Sequence, residues 1–474
     1  MSLNDGPLWR LDACALARGY ADGAFTPLQV AEVSLARIAR FEPHLNAMAC
    51  VDAPGARAAA AASTARWQAG RTLGPLDGVP LTLKDNLHAA GLPTRWGSKL
   101  GPDAPLARDE LPVERARAAG LVVLGKTCLP EFALQGCTVS PLTGVTRNPW
   151  DWRLTPGGSS GGAAASVAAG YAPLALATDG GGSIRRPAAY TGLVGIKPSR
   201  GLVPRAGGLP DLFLGHEEVG GLARTAGDLR RLLEVLAGRS VAVSPLPAMR
   251  ILVLSRLGPR PVDERLVDMV QAVADSLAAQ GHRVTRDDRA DWAEDVHALW
   301  PRLSASGLAW LIDSQDAWPG PALRTAAARL AACGDATQAL YEDGRRLGAA
   351  DLFALGHAVQ RLHETLAGEF SRFDVLLTPA TASVAWPADE AFPRAIDGRP
   401  AGPRADAVFT PFANAAGLPA VSLPCAMIGG LPASCQLTGP HGCDARLLAL
   451  AEQITTLHPW APPGARMPAL ERLE

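Results

Sequence analysis

The stretch GGSSGGAAASVAAGYAPLALATDGGGSIRRP, residues 157–187, decides the fold of this chain. It contains two clusters of glycine and serine, residues 157–162 and 179–183, joined by a run of small residues and a short apolar run. These runs predict one helix, over 163–170, and one strand, over 173–178, which ends at the second cluster. Because open α/β sheets bind ligands at strand ends, we expect both clusters to line a site.

Glycine lets backbone N–H groups approach a ligand, because no Cβ stands in the way. A run of Gly and Ser can also be a flexible linker, which is the alternative interpretation of residues 157–162. A linker would not usually be followed by a second turn of three glycines and a serine, or flanked by small apolar packing segments. The pattern therefore favours two turns that present main chain and serine hydroxyls to a substrate.

Length and composition set the limits of the architecture. The chain has 474 residues, 48% of them hydrophobic, and a formal net charge of −1. The length alone suggests two or three domains, but no polar linker long enough to separate them is present, so we predict a single large domain. A near-neutral chain has no basic field for nucleic acid, and no nucleic-acid partner is expected.

The sequence carries no signal for a membrane, a secretory leader or a metal. No apolar run of about 18 residues is free of charges, and residues 1–5 lack a basic and apolar leader pattern. The eight cysteines form no C-x-x-C pair, and the nine histidines form no H-x-x-x-H or H-E-x-x-H. We therefore expect a cytoplasmic protein with reduced thiols, no membrane contact, no metal and no cofactor.

Periodicity and turn residues predict the alternating helices and strands of an α/β protein. The predicted helices are 27–41, behind a capping box at Thr26, then 112–119, 228–236 and 263–279, followed by a helical region over 291–369. The predicted strands are 79–83, 121–127, 250–254, 283–285, 373–379 and 420–424. Residues 131–150 are expected to be loop-like. No basic patch interleaves the tryptophans of 291–369, so they are predicted to be core and pocket wall: Trp292, Trp300, Trp310 and Trp318.

Lys84 directly follows the apolar segment 79–83. Most lysines are solvated, but a lysine at the end of an apolar strand is drawn towards the interior. This position makes Lys84 a candidate for burial.

Together these pieces closely resemble the amidase signature family of serine amidohydrolases. The resemblance rests on Lys84 after an apolar strand and on residues 157–162, 179–187 and 195–198. Further family-like segments follow in order between about residues 8 and 457: 125–127, 131–132, 146–150, 221–225, 373–379, 412–424 and 436–440. The ordered set is far more specific than any single piece.

The resemblance implies an α/β fold, a single large domain whose mixed central β-sheet is covered by helices on both faces. Within it we expect an N-terminal helical part over about 8–70 and a catalytic core over about 71–240. A helical insertion and pocket region over about 255–370 and C-terminal core strands over about 371–457 would complete the domain.

The resemblance also implies a catalytic Ser-Ser-Lys triad. Ser183 would be the nucleophile, Ser159 the bridging serine, held by a cis peptide, and Lys84 the base. The implied oxyanion hole uses the N–H groups of Gly180, Gly181, Gly182 and Ser183. The residues expected to support the site or bind substrate are Gly158, Ser160, Asp179, Arg185 and Arg186. The family often has Thr where Gly180 stands, a departure expected to be tolerated because the backbone N–H is the functional group.

The chemistry of these residue types agrees with the implied roles. A serine hydroxyl is a poor nucleophile until a base removes its proton. Desolvation lowers a lysine pKa by up to about 3 to 5 units, so a buried Lys84 could serve as that base. The reaction would convert an amide into a carboxylate and ammonia or an amine through an acyl-serine intermediate. A small-molecule amide is thus the expected partner, and the chain is expected to be a monomer or homodimer.

Three alternatives stay open from the sequence. GSSGG matches the G-x-S-x-G nucleophile elbow of α/β-hydrolases, with Ser160 as nucleophile and His297, His363 or His441 as base. Residues 157–162 could cradle a phosphate in a nucleotide-binding module, although the Gly-Lys-Ser/Thr ending of a P-loop is missing. The chain could also be the amidase-like component of an amidotransferase or hydrolase built from several subunits.

The substrate is least specified by the sequence. Arg185 is expected to brace the glycine loop, whereas Arg186 could lie at the surface or reach the pocket. If Arg186 reaches the pocket, it would favour a small acidic amide. Pocket walls are expected from residues 131–146 and from the tryptophan-containing region 291–369.

Overall fold

A computed structural model describes residues 7–241, 246–287, 290–314, 325–460 and 467–471. The strands in these ranges are β1 (Met48–Val51), β2 (Pro80–Lys84), β3 (Val122–Thr127), β4 (Val139–Ser140), β5 (Gly144–Val145), β6 (Leu174–Asp179), β7 (Val194–Lys197), β8 (Glu218–Ala223), β9 (Arg250–Val253), β10 (Arg283–Arg286), β11 (Val375–Pro379), β12 (Ala395–Ile396), β13 (Arg399–Pro400), β14 (Ala420–Ile428) and β15 (Leu431–Thr438).

The α-helices in the same ranges are α1 (Ala13–Ala21), α2 (Pro27–Leu45), α3 (Ala53–Gln68), α4 (Leu111–Ala118), α5 (Gly161–Ala168), α6 (Arg185–Thr191), α7 (Ala226–Ala237), α8 (Glu264–Ala279), α9 (Glu294–Asp313), α10 (Ala326–Ala331), α11 (Asp335–Arg345), α12 (Ala349–Arg372), α13 (Pro411–Ala415), α14 (Asp444–Leu457) and α15 (Pro468–Glu471). Short 3₁₀ turns occur at Leu8–Arg10, Glu131–Ala133 and Ala405–Ala407.

One large sheet organises the domain, in the strand order β1-β3-β2-β6-β8-β7-β14-β15-β11-β9-β10. β2 runs parallel to β3 and β6, and β9 runs parallel to β10 and β11. The other neighbouring strands of this sheet are antiparallel. The prediction of a single α/β domain with a mixed central sheet is confirmed.

Helices cover both faces of this sheet. Successive side chains of a strand point to opposite faces. Leu174 and Leu176 of β6 belong to one core, with leucines of α7, whereas Ala175 and Ala177 belong to a second core, with the alanines of α5. The side chains of β6 thus pack alternately into an apolar layer on each face of the sheet.

The sheet brings the C-terminal ends of β2 and β6 together. β2 and β6 are parallel neighbours, with Leu83 opposite Leu176. Lys84 is the last residue of β2, and Asp179 is the last residue of β6. Both strands therefore deliver their next residues to the same edge of the sheet, where the glycine cluster 179–183 begins.

Several local predictions are confirmed. Thr26 caps α2 with the expected capping box, although the helix continues past residue 41 to Leu45. The predicted strand 79–83 is β2, displaced by one residue so that Lys84 lies in the strand rather than after it. The predicted helix 163–170 and strand 173–178 are α5 and β6.

The region 291–369 is helical, as predicted, in its described parts. Trp300 is buried and Trp292 packs edge-on against Phe412, in agreement with a core or wall role. Trp310 is 47% exposed, so the prediction that it is core is wrong. Trp318 lies outside the described residues. Of the helices described, none is both long enough and apolar enough to cross a bilayer.

Candidate active site

Lys84 lies at the centre of the candidate site. Its side chain is completely buried, as predicted, because β2 is enclosed between β3 and β6 with helices on both faces. Lys84 Nζ lies 2.8 Å from Ser159 Oγ and 3.0 Å from Thr178 Oγ1. Burial lowers the pKa of this amine from 10.5 to about 7, so a large neutral fraction exists at neutral pH.

Ser159 follows a cis peptide bond from Gly158, as the family resemblance implied. The side chain of Ser159 is fully buried against Lys84. A Cβ on Gly158 would lie 2.7 Å from the Cys137 carbonyl oxygen, which explains the glycine at this position. The hydroxyl of Ser159 is thus fixed beside the amine.

Ser160 joins the two glycine clusters. Its backbone N–H donates to the carbonyl oxygen of Ser183 at 3.1 Å, and its hydroxyl donates to the carbonyl oxygen of Thr178 at 3.2 Å. These bonds fix the second cluster against the first. Ser183 itself is 7% exposed, so a little of the residue contacts solvent.

The structure brings Lys84 and Ser159 into direct contact and ties the backbone of Ser183 to the same loop. Among the described residues, however, no hydrogen bond joins Ser183 Oγ to Ser159 Oγ or to Lys84 Nζ. Catalytic hydrogen bonds often tighten only when substrate binds. The proton path from Ser183 to Ser159 therefore stays a prediction.

Asp179 shapes the second glycine cluster from inside. One carboxylate oxygen accepts the N–H of Gly182 at 2.7 Å, and the other accepts the N–H of Ile184 at 3.0 Å. The prediction that Gly182 N–H belongs to the oxyanion hole is therefore wrong, because this donor is already used. In the described ranges, the N–H groups of Gly180, Gly181 and Ser183 have no partner and stay available.

Arg185 closes the loop around Asp179. Its Nε and Nη2 donate to the two carboxylate oxygens of Asp179 at 3.0 and 2.9 Å, and both side chains are fully buried. Its remaining donors reach Gln436 Oε1 at 2.8 Å and Asn414 Oδ1 at 2.5 Å. Burial alone would raise the pKa of Asp179, but the Arg185 guanidinium holds it well below its usual range. Arg185 thus braces the glycine loop.

Arg186 is buried rather than at the surface. Its Nη1 donates to Asp406 Oδ2 at 2.8 Å, so its charge is already paired. The surface alternative for Arg186 is wrong. The Nε of Arg186 has no hydrogen-bond partner among the described residues, and a Cβ on Gly182 would lie 3.0 Å from it.

Sequence reasoning missed several residues of the site. Thr178 contacts the Lys84 amine and precedes Asp179 on β6, a position that the strand pattern marked only as apolar. Asn414 and Gln436 lie within segments that carried the family resemblance, but nothing local indicated their contacts with Arg185. The described residues hold no group of three or more His, Cys, Asp or Glu placed for a metal ion.

The pocket wall comes only in part from the predicted regions. Trp300 of α9 approaches Gly181, as expected of the 291–369 region. Phe213, from the loop before β8, approaches Gly180, and Arg404, from the loop before α13, approaches Gly181; neither was predicted. Both come from loops, where periodicity carries no signal.

The alternative with Ser160 as an elbow nucleophile is wrong. The Ser160 hydroxyl is buried and bonded to a backbone carbonyl. His297 lies 3.5 Å from Glu294, and His441 bonds to the carbonyl oxygen of Arg200. His363 is exposed on α12. Across the described chain, none of the three histidines makes a hydrogen bond to Ser160.

The phosphate-cradle alternative is also wrong. A Cβ on Gly161 would lie 2.2 Å from Thr138 Oγ1, and one on Gly162 would lie 2.5 Å from the carbonyl oxygen of Cys128. The space beside these glycines is filled by other parts of the protein chain. They allow close packing of α5 and leave no space for a phosphate group.

Gly180 gives a testable result, because a Cβ there would lie 3.1 Å from the ring of Phe213. The threonine common in the family is therefore not expected to be tolerated alone. Gly180→Thr should lower kcat/KM about 10-fold by displacing the loop, since small misplacements of reacting groups are costly. Adding Phe213→Leu should restore most of the loss, and steady-state kinetics on the two single variants and the double variant measures the coupling. Additive losses would contradict the steric explanation.

The sequence of this chain is similar to those of several known proteins. A family model described as Amidase matches residues 29–448. The chain is 36% identical to the Putative amidase AmiB2 of Mycobacterium tuberculosis, over 95% of this chain and 96% of that protein. It is 34% identical to one subunit of the Glutamyl-tRNA(Gln) amidotransferase of Symbiobacterium thermophilum, over 94% of this chain and 97% of that protein. It is also 30% identical to the Acylamidase of Rhodococcus erythropolis, over 95% of this chain and 96% of that protein.

The fold matches solved structures over nearly its whole length. A bacterial aryl acylamidase, described as belonging to the amidase signature enzymes, superposes with a TM-score of 0.86 at 27% sequence identity. The match covers 96% of this chain and 98% of that chain. Sequence and structure therefore point to the same family.

Proposed function

Because the chain belongs to the amidase signature family, we propose that Lys84, Ser159 and Ser183 form the catalytic triad with which it hydrolyses an amide. The protein is a hydrolase that acts on C–N amide bonds. The products are a carboxylate and ammonia or an amine. Only side chains and backbone of this chain take part in the proposed steps.

Ser183 Oγ attacks the amide carbonyl carbon and forms the new C–O bond. Its proton passes to Ser159, while Ser159 gives its own proton to the neutral amine of Lys84. The negative charge that develops on the carbonyl oxygen is bound by the N–H groups of Gly180, Gly181 and Ser183, which have no other partner within the described ranges. Preorganised donors of this kind contribute about 3 to 4 kcal/mol each to transition-state stabilisation.

The C–N bond breaks when the nitrogen takes the proton back from Ser159, which Lys84 resupplies. This leaves an acyl-serine on Ser183 and a neutral amine or ammonia. Water then attacks the acyl carbon and passes a proton through Ser159 to Lys84. The bond between the acyl carbon and Ser183 Oγ breaks, Ser183 takes that proton back through Ser159, and the carboxylic acid that leaves ionises to a carboxylate. The cycle thus returns every proton that Lys84 accepted.

One observation carries the proposal: the fully buried amine of Lys84 lies 2.8 Å from Ser159 Oγ. This burial lowers the pKa of the amine to about 7. A solvated lysine would be charged and could not accept a proton. A buried lysine is costly to keep, so its presence beside two serine-bearing turns supports a chemical role.

A reagent that traps serine nucleophiles tests the nucleophile directly. We expect an alkyl fluorophosphonate to modify one serine per chain, and peptide mass spectrometry to locate the adduct on Ser183. Ser183→Ala should abolish the modification, whereas Ser160→Ala is the matched control and should still react at Ser183. An adduct on Ser160 or Ser159 would contradict the assignment.

A second function is favoured by the 34% identity, over nearly the full chain, to one component of an amidotransferase. In that case the ammonia released would pass to another chain. We propose instead that the protein acts alone on a small amide, as a monomer or homodimer. Size-exclusion chromatography with light scattering, combined with amide hydrolysis by the same peak, tests this; hydrolysis only after addition of another protein chain would favour the amidotransferase.

A further inference from the structure

A cavity of about 20 Å³ lies beside the glycine loop, between α9 and residues 404–411. Its polar lining comes from Arg260, His297, Trp300 and Arg404. This volume accommodates one water molecule or one small polar group. The lining supplies two guanidinium groups and an indole N–H but no carboxylate, so it is rich in donors and positive charge.

Trp300 contributes a buried donor that has no partner. The residue is 1% exposed, and its Nε1 makes no hydrogen bond to any described residue. Buried N–H groups in folded proteins are nearly always paired. A Cβ on Gly181 would lie 3.0 Å from this nitrogen, so the indole N–H lies against the loop that carries the proposed oxyanion donors.

Arg404 contributes a cation without a counter-ion. A Cβ on Gly181 would lie 3.4 Å from Arg404 Nη2. Within the part of the chain that the structure describes, this guanidinium makes no ion pair and no hydrogen bond. Burial and the like charges of Arg186 and Arg260 lower the pKa of Arg404 to about 10, so it is still charged at neutral pH.

The nearby carboxylates that are described make no direct contact with Arg404, although the charge of Asp406 raises its pKa. Asp406 accepts hydrogen bonds from Arg186 at 2.8 Å and from Tyr190 at 3.3 Å. Glu294 pairs with Arg260 at 3.2 Å. Arg404 is therefore the positive charge beside Gly181 that has no carboxylate bonded to it. The carboxylate-binding role considered for Arg186 fits Arg404 better.

We propose that Arg404 and the indole N–H of Trp300 bind a carboxylate of the substrate. The proposal rests on the proposed amide hydrolysis and names its substrate class: a short amide that also carries a carboxylate, such as the half-amide of a C3 or C4 dicarboxylic acid. Both donors lie against Gly181, so the carboxylate is held only a few bonds from the reacting carbonyl. Hydrolysis of such a half-amide with water yields a dicarboxylate and ammonia.

Matched substrates test this inference. Succinamate and butanamide have the same carbon chain, but only succinamate carries a carboxylate. We expect the wild type to show a kcat/KM for succinamate at least 10-fold higher than for butanamide. Arg404→Met should reduce this ratio about 10- to 100-fold, the range expected for a lost hydrogen bond to a charged group. Trp300→Phe, which keeps an aromatic ring but removes the N–H, should reduce it less.

The control is Arg250→Met, which removes an arginine paired with Asp374 at the far side of the sheet. Its succinamate-to-butanamide ratio should equal that of the wild type. Equal losses on both amides in Arg404→Met, or a wild type with no preference for succinamate, would overturn the carboxylate site while leaving amide hydrolysis intact. Thermal unfolding of each variant verifies that it is folded.

A binding measurement separates this inference from the catalytic assignment. Succinate should raise the unfolding temperature of the wild type and of Ser183→Ala, and it should leave that of Arg404→Met unchanged. Succinamide, the uncharged analogue, should have no such effect on Ser183→Ala, which lacks the nucleophile that would convert it into succinamate. Binding that persists in Ser183→Ala supports the site even if the nucleophile is assigned wrongly, and the absence of any succinate effect on the wild type overturns it.

Discussion

Replacing Lys84 by methionine is expected to lower kcat/KM for amide hydrolysis about 10³- to 10⁴-fold, the upper range for loss of a general base. Methionine fills most of the apolar volume of the lysine stem, but it has no amine to accept the proton relayed by Ser159. Steady-state kinetics on a single amide measures the loss. The Lys84 amine lies 2.8 Å from Ser159 Oγ, so the substitution removes the contact on which the proposed mechanism depends.

The same variant should stay folded. Each pKa unit corresponds to about 1.4 kcal/mol, so keeping Lys84 neutral costs the folded state about 4 to 5 kcal/mol at pH 7. Methionine removes this cost and loses the hydrogen bonds to Ser159 and Thr178, each worth about 1 kcal/mol. Calorimetry should therefore give an unfolding temperature at or above that of the wild type. An inactive variant that unfolds early would indicate a structural lysine instead.

The pH dependence follows from the direction of the Lys84 pKa shift. The neutral amine is the base, so wild-type kcat/KM should fall about tenfold per pH unit below about pH 7 and level off above it. Between pH 7 and 10.5 the unfolded chain holds a proton that the folded chain lacks. The free energy of unfolding should thus rise with pH in this window relative to Lys84→Met. A pH-independent difference would contradict the assignment.

Replacing Arg185 by methionine should lower the free energy of unfolding by about 3 to 5 kcal/mol, because it leaves Asp179 charged, buried and without its cation. The bonds from Asp179 to the N–H groups of Gly182 and Ile184 would also be strained, so activity should fall with stability. Urea denaturation measures the first effect and steady-state kinetics the second.

A matched control and a double variant sharpen this experiment. Arg57→Met breaks an ion pair with Glu32 in which both side chains are about half exposed, so it should leave the free energy of unfolding almost unchanged. Asp179→Asn combined with Arg185→Met removes both charges and should recover part of the lost stability. If Arg57→Met and Arg185→Met lowered the free energy of unfolding equally, the buried pair would contribute no more to stability than the exposed one.

Local sequence signals predicted the elements well, because those elements depend on neighbours in the chain. The capping box at Thr26 determined where α2 begins, and the apolar runs identified β2 and β6. The boundaries were less accurate. Lys84 belongs to the strand itself, since its pairing with Thr127 of β3 extends the ladder by one residue, which no local pattern shows.

The sequence predicted the placement of some side chains correctly and the roles of others wrongly. Ser159 and Ser183 were singled out by their glycine clusters and Lys84 by its place after an apolar run, whereas their catalytic roles were implied by the family resemblance and stay predictions. Gly182 was misassigned because a row of glycines does not show which N–H is already used by Asp179. Arg186 was considered for substrate binding because it follows Ser183 by three positions, and its pairing with Asp406, 220 residues away, has no local signal in the sequence.

The sequence by itself determined the α/β architecture, the two serine-bearing turns and a lysine set at the end of a buried strand. These features follow from periodicity, turn residues and motif order, which are properties of short segments. Only the tertiary structure decided which cations are paired and which donors are left unpaired around Gly181. Ion pairs and hydrogen bonds between loops depend on distances between residues far apart in the chain, so the unpaired indole N–H of Trp300 and the guanidinium of Arg404 could be recognised beside Gly181 only from the fold.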